Sequence, residues 1–224
     1  MSDIRHILRD AYSCSRCPET FGFSISPNGS YFKFPPIIGA TGKADILFVG
    51  INPRRSFTNL HLHEHLMTSR QAFRDLASNR INGAAYIETS SGEPHYHVHL
   101  EIIRKIYGEP KTFESCAAVT ELFLCASEKS GGLPNPESPC AEHFLPQVLN
   151  LVQPKVIVAV GSRVFTYFKT KTCRLIDPHE IVVTWLNHDY PVVTMPHPGN
   201  NNLTELQRRS EINVCIRKLR DRLG

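Results

Sequence analysis

The sequence lacks any long apolar run. No unbroken apolar stretch exceeds five residues, as at Val156 to Val160, whereas a membrane-spanning helix needs ~20. The first residues, Met1 to His6, also lack the basic and then apolar order of a secretory signal. We therefore expect no association with a membrane, and we expect a reducing, cytoplasmic compartment.

An excess of charge of one sign is also absent. The 224 residues include 25 Lys+Arg and 21 Asp+Glu, a formal net charge of +4, which is too small to identify a polyanion as a partner. Apolar residues make up 41% of the chain and charged residues 21%. This ordinary balance excludes disordered, collagen-like and coiled-coil proteins. The length predicts a single domain over residues 1–224.

Short apolar runs alternate with amphipathic segments along the chain. Strands are predicted at residues 44–50, 117–125, 154–161, 181–186 and 191–194. Helices are predicted at residues 2–12, 66–80, 96–107, 140–152, 162–168 and 203–223. This alternation predicts an α/β fold, a three-layer sandwich with a central, mainly parallel sheet flanked by helices.

The chain has 7 cysteines, and an odd number in a reducing compartment argues against a disulfide framework. Cys14 and Cys17 form a Cys-x2-Cys pair, and 14 residues separate Cys125 from Cys140. Thiolates bind zinc or hold the corners of an iron–sulfur cluster, and spacing alone does not separate the two. We predict that these four cysteines bind a metal, with residues 1–36 as the cluster-binding segment. The others are predicted to be ordinary buried thiols: Cys116, Cys173 and Cys215.

Two short motifs directly follow predicted strands. Residues Gly50 to Pro53 read Gly-Ile-Asn-Pro, and Met195 to Pro198 read Met-Pro-His-Pro. Because ligands of parallel α/β sheets bind beyond the carboxyl ends of the strands, we predict that the two motifs face one crevice.

These motifs, the four cysteines and the strand from Pro154 to Gly161 together resemble the uracil-DNA glycosylase superfamily, specifically its iron–sulfur branch. The resemblance runs from about Cys14 to the C-terminal helix. It implies a hydrolase of base excision repair, a DNA glycosylase that cleaves the N-glycosidic bond of a damaged or deaminated base. It also implies a structural 4Fe–4S cluster, with zinc as the alternative, and damaged or mismatched DNA as the partner. We expect a monomer that is nucleoid-associated when bound to DNA.

The resemblance also suggests roles for the two motifs. Asn52 matches the residue that positions water in the mismatch-specific branch, whose motif is also Gly-Ile-Asn-Pro. The iron–sulfur branch carries Glu where this chain has Ile51. Because an amide cannot take up a proton, Asn52 would orient water rather than deprotonate it, which implies a slow enzyme. His197 would hydrogen-bond the base oxygen as the glycosidic electrons arrive. Gly50 and Ile51 are expected to line the base.

Glu121 departs from the family pattern, in which an Asn on the second strand reads the base. An amide offers a donor and an acceptor, which together match O4 and N3–H of uracil, whereas an ionised carboxylate only accepts. Unless it held a proton, Glu121 would favour base edges with adjacent donors. The sequence therefore predicts a substrate other than ordinary uracil.

The remaining site predictions concern DNA contacts and base stacking. Tyr96 matches an aromatic that supports the extruded base. Arg54 and Arg55 could clamp a phosphate or occlude the pocket, and Gly199 and Asn200 could offer backbone N–H groups to a phosphate.

Two other functions fit the sequence as well. One is a non-catalytic or weakly active nucleic-acid-binding protein with the same fold. The other is a zinc-stabilised enzyme that acts on free nucleosides or nucleotides.

Overall fold

The computed structural model describes residues 4–16, 37–40, 42–51, 94–108, 113–125, 139–198 and 202–224. The helix predicted at residues 66–80 lies outside these ranges. Within them, the prediction of an α/β sandwich is confirmed: helices cover both faces of one sheet. None of the described helices combines the length and apolar character that crossing a bilayer requires.

The helices are numbered along the described chain. They are α1 (Ile4–Ser13), α2 (Pro94–Tyr107), α3 (Phe113–Cys116), α4 (Pro139–Val152), α5 (Ser162–Thr170) and α6 (Glu205–Leu223). The strands are β1 (Ile38–Gly39), β2 (Ile46–Gly50), β3 (Ala117–Glu121), β4 (Val156–Val160), β5 (Thr172–Asp177), β6 (Glu180–Trp185) and β7 (His188–Met195).

The described strands form a seven-stranded sheet in the order β1-β3-β2-β4-β7-β6-β5. The central strands β3, β2, β4 and β7 are parallel, and the outer strands pair antiparallel. The carboxyl ends of the four central strands therefore lie at one edge of the sheet, called the carboxyl edge below. The register pairs Gly50 with Glu121 and Val160 with Met195 at this edge.

Two apolar layers hold the helices against the sheet. Leu47 and Val49 of β2 face the layer that α1, α4 and α5 cover, while Ile46 and Phe48 face the layer beneath α2 and α6. Side chains that alternate in this way make β2 buried on both faces, as its continuous apolar sequence predicts. Packing on both sides holds β2 in place, and this positions the residues that follow the strand.

The described structure differs from the predicted elements mainly at the sheet's outer strands. The strands β1 and β5 and the short helix α3 were not predicted, because β1 has two residues and β5 is mostly exposed. The strand predicted over 117–125 ends at Glu121. Cys173 lies exposed on β5, so the prediction that it is buried is wrong. Cys116 and Cys215 are buried as predicted.

Candidate active site at the carboxyl edge

The carboxyl edge brings together four of the residues predicted to form the site. Gly50 and Glu121 end the neighbouring strands β2 and β3, and Ile51 follows Gly50 directly. His197 follows β7 by two residues and is half-buried. Both motif-bearing strands thus end where a parallel sheet places its ligands.

The Glu121 carboxyl group lies directly over Gly50. A Cβ atom at position 50 would stand 2.1 Å from Oε2 of Glu121 and 2.7 Å from Oε1. Contacts this short are far inside van der Waals range, so any side chain at position 50 would force the buried Glu121 carboxyl group to move. The glycine of the Gly-Ile-Asn-Pro motif therefore has a structural reason: it makes room for Glu121.

Burial changes the chemistry of Glu121. Its side chain is 6% exposed, and Oε2 has no hydrogen-bond partner among the described residues. Desolvation raises the pKa of Glu121 to about 8, because the buried charged form loses its hydration. At neutral pH Glu121 is therefore mainly an uncharged acid, and the acceptor-only behaviour expected from the sequence applies only above that pKa.

Alanine at position 50 should displace the Glu121 carboxyl group. We expect Gly50→Ala to lower the free energy of unfolding by about 1–3 kcal/mol, because the added methyl group overpacks a buried site. Chemical denaturation measures this difference. Gly42→Ala is the matched control, since a Cβ there meets nothing within 4 Å, and its effect should stay within about 0.5 kcal/mol. Equal stability of the two variants would contradict the contact.

His197 packs against a second glycine that the sequence analysis did not single out. A Cβ atom at Gly161 would lie 3.2 Å from the Cβ of His197, and Gly161 has φ +91°, a conformation that favours glycine. The Gly161 amide donates to the Met195 carbonyl at 2.8 Å, which ties the end of β4 to the end of β7. The sequence offered one indication that Gly161 belongs to the site, because this glycine directly follows a predicted buried strand.

The first turn of α2 also points towards this edge. The Tyr107 hydroxyl donates to Oδ2 of Asp45 at 2.8 Å, which places the end of α2 beside the start of β2. The ring of His99 lies 4.5 Å from that of Phe48, which is nearer the carboxyl end of β2. The helix α2 therefore runs back along β2, and its first turn lies towards the carboxyl edge. Tyr96 belongs to this turn, although its side chain lies outside the described residues.

A pocket of about 410 Å³ lies beside Pro198, between α2 and α6. Its basic side chains have acidic neighbours: Lys105 lies 2.6 Å from Glu101, and Arg208 lies 2.7 Å from Glu205. The mixed charge does not favour a phosphate over other ligands, so we assign no DNA contact to this pocket.

Three of the four predicted metal ligands are described. Cys125 and Cys140 are buried and Cys14 is half-buried, whereas Cys17 lies outside the described ranges. The Leu124 amide donates to Sγ of Cys140 at 3.3 Å, which brings the backbone beside Cys125 to Cys140. Among the described residues, no three His, Cys, Asp or Glu side chains converge as metal ligands.

A hydrogen bond between two packed helices lies close to Cys14 and Cys140. Asp10 of α1 contacts Nε2 of His143 in α4. Cys14 lies one turn beyond Asp10, and Cys140 lies about one turn before His143. The Arg16 guanidinium contacts Sγ of Cys14 at 3.4 Å. Soft thiol donors near N–H groups suit a bound metal or cluster, because such hydrogen bonds stabilise thiolates.

Other predicted site residues lie outside the described ranges. These are Asn52, Arg54, Arg55, Gly199 and Asn200.

A comparison with known protein families shows to which family the chain belongs. The family model for the uracil DNA glycosylase superfamily matches residues 36–220. The chain belongs to this superfamily. Membership suggests DNA glycosylase activity in base excision repair and implies DNA binding. None of the curated proteins matches the chain.

The superfamily match covers some predicted residues and not others. It includes the carboxyl-edge residues, Cys125 and Cys140, but Cys14 and Cys17 precede it. The full cysteine set is therefore not part of what the superfamily match establishes.

Proposed function

We propose that this chain is a DNA glycosylase that removes a damaged or deaminated base by hydrolysing its N-glycosidic bond. The observation that supports this proposal is the geometry of the carboxyl edge. There the Glu121 carboxyl group lies over Gly50, and His197 packs against Gly161, at the ends of neighbouring strands. A glycosylase must extrude the base, accept the charge that develops on it and place a water at the sugar carbon.

His197 would supply the electrostatic part of this chemistry. A hydrogen bond from its ring to the base carbonyl oxygen would strengthen as the glycosidic electrons move onto the base. Packing against Gly161 restricts where the imidazole lies, which favours an orientation fixed before the reaction.

Asn52 would orient the water, by its match to the mismatch-specific branch. Ile51 offers no carboxylate at the place where the iron–sulfur branch has one, so nothing in this motif would deprotonate the water. The reaction would therefore rely on the departure of the base before attack by water. We expect slow turnover as a result.

Excision from single-lesion oligonucleotides tests this function. Uracil, hypoxanthine, xanthine and mismatched bases would each be placed in single- and double-stranded DNA and scored for abasic sites. Abasic-site formation on at least one lesion supports the proposal. Binding to DNA without any abasic product would favour a non-catalytic nucleic-acid-binding protein, and release of bases only from free nucleosides would favour the nucleoside-acting alternative.

We also propose that Cys14, Cys17, Cys125 and Cys140 bind one 4Fe–4S cluster. When bound, the cluster would act as a structural staple between the N-terminal segment and the start of α4. The support is the Leu124 N–H contact to Cys140 and the hydrogen bond between Asp10 and His143 that joins α1 to α4.

Metal analysis of anaerobically purified protein checks the cluster. We expect a brown protein with four irons per chain and loss of iron in Cys140→Ser. Cys215→Ser is the matched control, because that thiol lies on the buried face of α6 and its replacement should leave the iron content unchanged. Stoichiometric zinc without iron would contradict the cluster and favour a zinc site.

A further inference from the structure

The buried carboxyl group at the end of β3 has more than one chemical form. Glu121 lies over Gly50 with both carboxyl oxygens close to the Gly50 backbone, and Oε2 lacks a hydrogen-bond partner among the described residues. An oxygen that is buried without a partner costs free energy, and a ligand that pairs with it recovers that cost. The site is therefore suited to a polar edge of a bound molecule.

Protonation decides which edge Glu121 can recognise. A protonated carboxyl group has one O–H donor and one carbonyl acceptor side by side, as an amide does, whereas the ionised group only accepts. A carbonyl next to a ring N–H, the lactam edge of uracil and hypoxanthine, needs this donor and acceptor together.

We propose that Glu121 reads the lactam edge of the extruded base as an uncharged carboxylic acid, and that this recognition is lost when Glu121 ionises. The inference rests on the proposed base-binding site. The family's base-reading amide does not ionise, so its selectivity does not depend on pH. The selectivity of Glu121 would depend on pH.

The surroundings of Glu121 favour the uncharged form. Burial is the cause that raises its pKa, and Gly50, which lies beneath the carboxyl group, adds no charge. Titratable side chains on the elements around this edge include His99 of α2, whose ring lies 4.5 Å from that of Phe48, and His197 beyond β7. Bound DNA adds negative phosphates, which further disfavour a carboxylate.

Binding that does not require turnover tests this inference. The probe is duplex DNA with one 2′-fluoro-2′-deoxyuridine, whose glycosidic bond resists hydrolysis, and the affinity is measured by anisotropy between pH 6 and 9. The undamaged duplex reports the affinity that does not depend on the base. We expect the preference of the wild-type protein for the probe to fall by about ten- to a hundredfold above pH 8.

Glu121→Gln separates Glu121 from all other titrating groups. Its amide keeps a donor and an acceptor but does not ionise, so its preference for the probe should stay constant over the same range. His99 and His197 are present in both proteins, and their titration cancels in the comparison. Parallel pH profiles for the two proteins would overturn the inference.

The outcomes also separate this inference from the proposed function. A pH-dependent preference without abasic products in the oligonucleotide assay would keep the inference and remove the catalytic proposal. Abasic products together with parallel pH profiles for the two proteins would keep the catalytic proposal and overturn the inference. If neither protein distinguishes the probe from undamaged DNA at any pH, the edge has no base-reading site and the inference is overturned.

Discussion

His197→Ala is expected to slow base excision by about a hundredfold or more in single-turnover experiments. The reason is that loss of one preorganised donor to developing charge commonly costs this much in the chemical step. Affinity for the lesion DNA should change little, since the hydrogen bond strengthens only as the bond breaks. Rapid-quench kinetics and an equilibrium binding assay on the same oligonucleotide measure both quantities.

His188→Ala is the control for this prediction. His188 begins the same strand, β7, and is exposed, so its removal should leave excision within about twofold, as for other surface substitutions. If His197→Ala weakened DNA binding as much as it slowed excision, His197 would be a binding residue and not a catalytic one.

At alkaline pH, the Glu121→Gln variant should be more stable than the wild-type protein. The pKa of Glu121 is about 8 in the folded protein, above its ordinary value of 4.5. The folded state therefore binds more protons between these values, and its stability falls as pH rises from 4.5 to 8. The variant escapes this loss, which is about 1.4 kcal/mol per pH unit.

Urea denaturation between pH 5 and 9 measures the difference between the two proteins. We expect the advantage of Glu121→Gln to grow by roughly 3–4 kcal/mol from pH 5 to pH 8 and then to level off. Asp221→Asn on α6 corrects for the loss of one carboxylate, because Asp221 is exposed. An advantage of the same size at every pH would mean that Glu121 is not protonated in the folded protein.

The central strands could be predicted from the sequence because each is buried on both faces. Continuous apolar runs at β2 and β4 leave little ambiguity, and the turn residues after them mark where the strands end. The strand β5 has mostly exposed residues, so neither alternation nor an apolar run identifies it. Its position depends on pairing with β6, a tertiary contact that local sequence does not encode.

The hairpin between β6 and β7 shows a second limit of sequence analysis. The strand β7 starts at His188, three residues before the predicted strand, because Leu186 and Asn187 form the turn with positive φ angles of 53° and 61°. Asn187 is typical of such a turn, but leucine rarely adopts this conformation, so the sequence did not indicate that Leu186 belongs to the turn.

The candidate site could be predicted in outline but not in its chemistry. Strand ends and motif order predicted that Gly50 and His197 lie at one edge, and the resemblance to the superfamily added Glu121. The protonation of Glu121 could not be predicted, because it depends on how completely neighbouring strands bury the carboxyl group. The contact between Gly161 and His197 likewise joins two residues from different strands.

The packing of α1 on α4 sets the order in which the chain can complete its fold during synthesis. Asp10 and His143 are 133 residues apart, so α1 leaves the ribosome long before its partner helix exists. The sheet strands β2 and β3 and their α2 cover are made in between. Docking of α1 is therefore a late step that closes a long loop and depends on a contact of high sequence separation. In a nascent chain that stops before α4, Ile4, Ile7 and Ala11 would lack the α4 residues of the apolar cluster to which they belong in the finished fold.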